Sequence, residues 1–417
     1  MNLWNETKSI PISRQMIWAA YKKVKANKGS AGVDAISMDE FDANGSKHLY
    51  KLWNRMASGS YFPPPVKEVE IPKKDGKTRK LGIPTIADRV AQMAIKEYLE
   101  PRFEKIFSPD SYGYRPNKNA HQALQAVREN CWKYDWVIDL DIKGFFDNIS
   151  HEKLMKAVRK HVPENWACMY IQRWLNMPVQ TKQGDLVAKH GKGTPQGGVI
   201  SPLLANLFLH YAFDKWLEQN ATTVKYVRYA DDAIIHCKSK AHADRLLNRL
   251  HQRMDECELE LHPEKTKLAY CRDYRRQGNY KTVKFDFLGY SFQPRTAKSK
   301  RTGNLFIGYD CAISISSRKR LADKIEELDI IDMSFKSIVG IAQKMNPYIR
   351  GWINYYGKYR GYELSKVFYL LRCRLVRWAR KRYKRYRYSL NKAYRWLSRV
   401  RKQYPYLFYH WQLGFSN

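Results

Sequence analysis

Two acidic patches interrupt a chain that is otherwise strongly basic. One is Asp139-Leu-Asp141, near the end of the apolar run Trp136–Ile142; the other is Asp231-Asp232, between Tyr229-Ala230 and Ala233-Ile-Ile235. Adjacent carboxylates beside apolar strands repel each other and resist desolvation unless cations offset their charge. Two divalent ions about 4 Å apart, bridged by a carboxylate and by substrate phosphates, resolve that conflict and give an in-line phosphoryl-transfer site. An isolated Asp-Asp at a hairpin tip is commonly a solvated turn. The strand-end position of Asp141 and the Tyr-Ala-Asp-Asp context favour the metal reading.

Between the patches lies Gly193-Thr-Pro-Gln-Gly-Gly-Val-Ile-Ser-Pro202. Its glycines allow close backbone approach to a ligand, and Gln196 offers an amide for sugar or phosphate. Upstream, Lys73 and Arg79 flank Asp75-Gly76, a hairpin signal. Over a metal site, such a basic tip would clamp a triphosphate.

The elements that must position these groups read as mixed α and β. Helical periodicity covers 13–57 around a loop, Asn27–Asp34. Val66–Ile71 alternates as a strand, and Asp88–Tyr98 and Ala120–Asn130 read as helices. Trp136–Ile142 is a buried strand, with Ser150 as the cap of the next helix. Leu203–Leu217 is an apolar helix, Val224–Cys237 two strands, Ala241–Cys257 an amphipathic helix, and Phe285, Phe287 and Phe292 lie in a strand-like run. Breaks fall at Tyr61–Pro65, Arg272–Tyr280 and Gln293–Asn304. From about Ser334 the pattern is helical, with Leu364, Phe368, Leu371, Leu375 and Trp378 on one stripe.

The 417 residues include 75 Lys+Arg and 40 Asp+Glu, a net charge of +35. A surface so basic requires a polyanionic partner, and 29 Tyr with 12 Trp favour nucleic acid, whose bases stack on aromatic faces. Residues 350–405 hold 18 Lys/Arg against one acid, Glu363, so this segment should track nucleic-acid backbone. No apolar stretch of about 18 residues exists, which excludes a membrane-spanning segment of that kind. Seven scattered Cys without a C-x-x-C pair argue against disulfides and structural zinc. The expected location is intracellular and cytoplasmic, and the family resemblance described next adds association with a bacterial nucleoid.

The ordered motifs resemble a known family. They are Ile-Pro-Lys-Lys-Asp-Gly…Arg-Lys-Leu-Gly-Ile-Pro (71–84), Ser-Tyr-Gly-Tyr-Arg-Pro-Asn (111–117), Asp-Ile-Lys-Gly-Phe-Phe-Asp (141–147) and Gly-Thr-Pro-Gln-Gly-Gly (193–198). Then follow Arg-Tyr-Ala-Asp-Asp (228–232), His-Pro-Glu-Lys-Thr-Lys (262–267) and Phe-Leu-Gly-Tyr (287–290). Together they resemble bacterial group II intron-type reverse transcriptases, and Ile349–Tyr356 resembles the maturase, or thumb, segment of intron-encoded proteins.

The resemblance implies an α+β right-hand polymerase fold, fingers and palm with an antiparallel sheet, followed by an all-α thumb/maturase module. It implies that Asp141, Asp231 and Asp232 are catalytic and hold two Mg²⁺ ions, for which Mn²⁺ could substitute. Asp141 is preferred over Asp139 because the family pattern places an aromatic five positions on, where Phe146 stands as the gate against a ribose 2′-OH. Lys73 and Arg79 would grip the triphosphate, Gln196 would lie under the incoming nucleotide and Lys265 near the leaving pyrophosphate. Phe287, Leu288, Gly289 and Tyr290 would form the primer grip, and Asn27–Asp34 would grip the template.

The implied partition is 1–60 as N-terminal extension, 61–305 as fingers and palm, 306–385 as thumb/maturase domain and 386–417 as a basic aromatic segment. Implied partners are an RNA template, intron RNA, a DNA or RNA primer, target DNA and dNTPs, with no membrane. Paired Cys ligands of an HNH endonuclease are missing, so no DNA-cleaving domain is expected. Two other readings stay open: a domesticated relative acting in phage defence or DNA repair, and an RNA-binding splicing maturase without polymerase activity.

Overall fold

Hydroxyl side chains set seven of the described helix starts. Ser13, Ser37, Thr85, Ser239, Ser314, Ser337 and Ser389 each accept the backbone N–H three residues on. That satisfies one donor the first turn would otherwise leave unpaired. Ser150 occupies a cap position as expected, but its side chain accepts no capping bond. The computed structural model describes residues 9–72, 78–299, 301–333 and 337–415. Lys73 and the Asp75-Gly76 tip lie outside them.

Two compact units divide the chain. The first takes the described residues up to Ala123 and Ile138–Lys267; the second takes Leu124–Val137 and the described residues from Leu268 on. The first opens with α1 (Arg14–Ala26), α2 (Met38–Ala43) and α3 (Gly45–Ala57). Strands β1 (Val66–Pro72) and β2 (Thr78–Ile83) pair antiparallel, from Lys67↔Ile83 to Pro72↔Thr78. Next come α4 (Ile86–Glu104), α5 (Ala120–Cys131), β3 (Trp136–Leu140), α6 (Phe145–Asn148), α7 (His151–His161) and α8 (Asn165–Leu175). The division runs through α5 and β3. Short β4 (Val179–Gln180) and β5 (Leu186–Val187) extend the β1–β2 sheet.

The apolar run from Leu203 forms the expected helix, with one irregular turn inside it. A π-turn over His210–Asp214 separates α9 (Ser201–Leu209) from α10 (Lys215–Asn220). The widened turn ends on Asp214, which is fully buried against Arg228. Strands β6 (Lys225–Tyr229) and β7 (Asp232–Cys237) form a tight hairpin, and β7 lies between β6 and β3 in the sheet. Ile138, Val227, Ile234 and Ile235 are fully buried there. Helix α11 (Lys240–Glu256) and β8 (Lys267–Tyr270) complete the series to the boundary.

In the second unit, β9 (Phe285–Phe287), β10 (Tyr290–Lys298) and β11 (Leu305–Ile313) form an antiparallel sheet in the order β11-β10-β9. Gln293–Lys298, expected as part of a break, are therefore strand. Their side chains are half-buried or exposed, and Pro294 sits within the strand, so no apolar alternation marks it. The all-helical part begins earlier than expected, with α12 (Ile315–Glu327), followed by α13 (Ile338–Tyr356), α14 (Ser365–Arg382), α15 (Leu390–Gln403) and α16 (Tyr409–Gln412). Leu364, Phe368, Leu371, Leu375 and Trp378 are all buried, as their spacing predicts. The architecture is α+β with mainly antiparallel pairing, and the last part is all-α.

Candidate active site

The β6–β7 turn is two residues long: Tyr229 pairs with Asp232, leaving Ala230 and Asp231 at the tip. Ala230 holds a left-handed φ of +57°, which a non-glycine residue adopts at a cost. Neighbouring groups fix it there. Buried Arg228 donates from Nη1 to Ala230 O (3.1 Å) and Asn206 Oδ1 (2.9 Å), and from Nε and Nη2 to the two Asp214 carboxylate oxygens (2.8 and 2.5 Å). On the other side, Gly113 presses against the turn, so that a Cβ there would lie 2.5 Å from Ala230 N. Asn206 Nδ2 donates to Gly113 O (2.8 Å) and holds that loop in place. The sequence alone assigns no role to Arg228, Asp214, Asn206 or Gly113, although Arg228 lies in the 228–232 motif and Gly113 in the 111–117 motif.

Asp141 follows β3, and its backbone is clamped by a bond from His262 N (2.8 Å). Lys265 Nζ stands 3.4 Å from both carboxylate oxygens of Asp141. Asp139 pairs with Lys267 (3.6 Å) instead. Burial, together with Asp141, raises the Asp231 carboxyl above its usual range, opposed by Arg79 and Lys265. Asp232 is pushed up to about 7 by burial, then by Asp231, Asp141 and Asp139. Its side chain reaches solvent, but the surrounding protein and three like charges disfavour ionisation.

Asp141, Asp231 and Asp232 are thus mutual electrostatic neighbours, as the sequence reading required. Among the described residues, no three His, Cys, Asp or Glu side chains stand gathered in metal-binding geometry. The donor chemistry nevertheless suits a hard divalent cation: all oxygen, with excess negative charge that raises carboxyl pKa values.

The other expected residues of this unit that are described, Arg79, Phe146 and Gln196, are joined to one another through the 193–198 loop. Phe146 is buried on the short α6, whose N-cap is Gly144, and its carbonyl accepts Thr194 N (2.8 Å). That bond ties the 193–198 loop to the aromatic position. Gly82 N donates to Gln196 O (2.8 Å), and Arg79 Nε donates to Gln196 Oε1, joining β2 to the loop. Under the loop, Gln92 accepts Ile200 N (3.2 Å) and donates to fully buried Asp88 (2.9 Å). Asp88 also accepts from Tyr61 OH and Trp174 Nε1, both 2.8 Å, and burial raises it to about 6. Arg89 Nη2 donates to Ser30 O, fixing the Asn27–Asp34 loop to α4.

Tyr114 is a further resident of the site. Its φ is +57°, its ring is half-exposed, and burial with nearby Asp231 raises its phenol pKa. It stands in the 111–117 motif, where the sequence alone assigns it no role.

Phe287–Tyr290 belongs to the second unit. Phe287 pairs with Tyr290, so Leu288 (φ +48°) and Gly289 (φ +79°) form a tight two-residue turn. Leu288 O accepts Tyr355 OH (2.8 Å), Gly289 O accepts Ser314 N (2.9 Å), and Tyr290 OH donates to Tyr355 O. A Cβ on Gly289 would meet Ser317 Oγ at 2.9 Å and Tyr356 OH at 3.0 Å.

Residues 71–292, more than half of the chain, match the family described as reverse transcriptase (RNA-dependent DNA polymerase). The chain belongs to the reverse transcriptase family. Residues 318–396 match the group II intron maturase-specific domain, so this reverse transcriptase is of the group II intron type, an RNA-directed DNA polymerase with a maturase domain. It is 32% identical to the protein YkfC of Escherichia coli over 279 residues, covering 58% of this chain and 73% of that one.

The group II intron-encoded protein LtrA of Lactococcus lactis is 35% identical over 207 residues, 48% of this chain and 33% of LtrA. An uncharacterised 91 kDa protein in the cob intron of Schizosaccharomyces pombe is 25% identical over 88% of this chain and 53% of its own length. Reverse transcriptases use divalent metal ions, and the two domain types have RNA and other nucleic acids as partners. No described helix of this reverse transcriptase is long and apolar enough to cross a membrane.

Proposed function

We propose that this reverse transcriptase extends a DNA or RNA primer with dNTPs on an RNA template, using two Mg²⁺ ions held by Asp141, Asp231 and Asp232. The observation that carries the reading is the mutual approach of these three carboxylates beside Arg79 and Lys265. When bound, the ions, for which Mn²⁺ can substitute, lower the cost of a 3′-alkoxide and neutralise the triphosphate.

The chain's own residues position the reactants. Arg79 and Lys73 hold the triphosphate, and Gln196, pinned through both its backbone and its amide, supports the incoming nucleotide. The primer 3′-oxygen bonds to the α-phosphorus as the bond to the β-phosphate oxygen breaks and pyrophosphate leaves. Lys265 neutralises the leaving pyrophosphate. Phe146, packed on Phe145 and tied to Thr194, presents a rigid ring where a ribose 2′-OH would fall. Phe287–Tyr290 grips the primer end, and the helical module binds intron RNA to assist splicing and mobility.

Primer extension decides the polymerase reading. With Mg²⁺, dNTPs and an RNA template, the protein should produce cDNA. An absence of product under conditions where RNA is bound would overturn it. Splicing of a group II intron precursor RNA, with and without protein, tests the maturase role separately.

A further inference from the structure

Asp88 is a carboxylate at a place where an amide of the same shape would cost less to bury. It is fully buried on α4, and its side chain is met by three neutral donors. Tyr61 OH and Trp174 Nε1 both donate to Oδ1, at 2.8 Å each, whereas Oδ2 takes Gln92 Nε2 (2.9 Å). An asparagine could serve the first two donors through its own oxygen, without a buried charge. Only at Oδ2 does the site require an atom that accepts and cannot donate. The demand for a carboxylate therefore comes from the Gln92 side.

Gln92 lies one turn further along α4 and is 1% exposed. With Nε2 taken by Asp88, its Oε1 is turned to Ile200 N (3.2 Å), the residue ahead of α9. The same oxygen lies 3.3 Å from where a Cβ of Gly198 would stand, so the 193–198 loop rests on it. Thr194 Oγ1 donates to Ser201 Oγ (2.7 Å) and closes the loop onto the start of α9. The amide is thus a relay with a fixed direction: carboxylate at one end, loop backbone at the other.

We propose that Asp88 is a positioning residue for nucleotide binding: it fixes which way the Gln92 amide points and, through Ile200 N, the position of the 193–198 loop under the incoming nucleotide. This rests on the polymerase reading above, in which Gln196 supports that nucleotide. Asp88 itself touches no reactant. Its effect is carried by the polarity of one amide, which separates it from a residue that only fills space or only carries charge. Burial lifts its pKa to about 6, so at about pH 8 it is ionised and accepts from all three donors.

Polarity gives the test its form. Asp88→Asn keeps the shape but sets a donor against Gln92. If Gln92 then turns its oxygen to that donor, its own NH₂ meets Ile200 N, donor against donor. Gln92→Glu alone sets two carboxylates face to face. The double variant Asp88→Asn/Gln92→Glu restores every pairing, because the new amide donates to the new carboxylate, whose other oxygen accepts Ile200 N. At about pH 8, each single variant should raise the KM for dNTP about tenfold, with kcat within about threefold and the primer–template Kd within about twofold. The double variant should return to within about threefold of the wild type. A wild-type KM in Asp88→Asn, or a double variant no better than that single one, would overturn the proposal.

Hydrogen–deuterium exchange at the Ile200 amide reads the same relay in the protein without substrates. Exchange should quicken about tenfold in Asp88→Asn and return in the double variant, with α11 protected throughout. Unchanged exchange at Ile200 defeats the relay, whereas a lack of extension by the wild-type protein defeats only the polymerase reading. Should Asp88→Asn lose protection in α11 as well, Gln92→Met decides. It removes the amide, leaves Tyr61 and Trp174 their acceptor, and should quicken exchange at Ile200 by the same factor. Wild-type exchange there would rule the relay out.

Discussion

Two hairpin turns of this molecule use the same backbone device for opposite chemistry. Ala230-Asp231 and Leu288-Gly289 are both two-residue loops whose first residue is a non-glycine in the left-handed region, at +57° and +48°. The first turn is held by a buried Arg228–Asp214 pair and presents carboxylates that repel one another. The second is held by the Tyr355 hydroxyl of α13 and the backbone N–H of Ser314, the residue before α12, and presents no charge. Strain is therefore not the functional signal by itself. What differs is whether the turn leaves unmet charge, and only the first does.

Breaking the charged turn should have the largest effect. Asp231→Asn is expected to lower primer extension by roughly 10³-fold while RNA binding stays within about twofold, measured on the same preparation. Loss of binding as well would mark the residue as structural. Asp214→Ala removes the support rather than the chemistry. It leaves Arg228 buried without its partner, and urea unfolding should show a loss of about 3–5 kcal/mol. Phe146→Ala should reduce discrimination against ribonucleotides by about 10-fold or more in single-nucleotide incorporation, and an unchanged ratio would remove the gate assignment.

In the uncharged turn, Gly289→Ala combines a left-handed backbone with a Cβ crowding Ser317 and Tyr356, for a loss of about 1–2 kcal/mol. Ala230→Gly relieves the same backbone cost and should lie within about 1 kcal/mol of the wild type.

The smallest effect sharpens the contrast through pH. Asp232 and Asp88 have folded-state pKa values of about 7 and about 6, above the ordinary 3.8. Between those values the folded state binds more protons than the unfolded one. Stability without divalent ions should thus fall as pH rises from about 4 to about 7, then level off. Added Mg²⁺ should raise the melting temperature more at pH 8 than at pH 5, because ligands must be deprotonated. Asp231→Asn should flatten that Mg²⁺ response, whereas Gly289→Ala should leave it intact.

Much of the charged turn was legible in the sequence. Short apolar runs on either side of Ala-Asp-Asp read as two strands meeting at a turn, and paired carboxylates in so basic a chain require an explanation. Its support was not legible. Asp214 reaches Arg228 through a π-turn that helical periodicity cannot announce, and Gly113 acts by having no side chain 117 residues from the residue it touches in the turn. The role of Tyr114 is not legible either, because a tyrosine in a loop gives no sign of an aspartate beside it. The β10–β11 hairpin was missed for a different reason. Its outer half is exposed, so the two-residue period that marks a half-buried strand is faint.

The way the chain crosses between units has a consequence for synthesis. Arg128 Nε and Trp132 Nε1 bond to Asp310 Oδ1 (2.6 Å) and Tyr309 O (2.9 Å), partners 182 and 177 residues later. At ribosomal speed those partners arrive roughly 10–40 s after the donors are made. The segment 124–137 must therefore leave the ribosome, stay uncommitted while the residues around it fold, and be captured near the end of translation. Chaperone dependence and slow refolding should concentrate in this stretch.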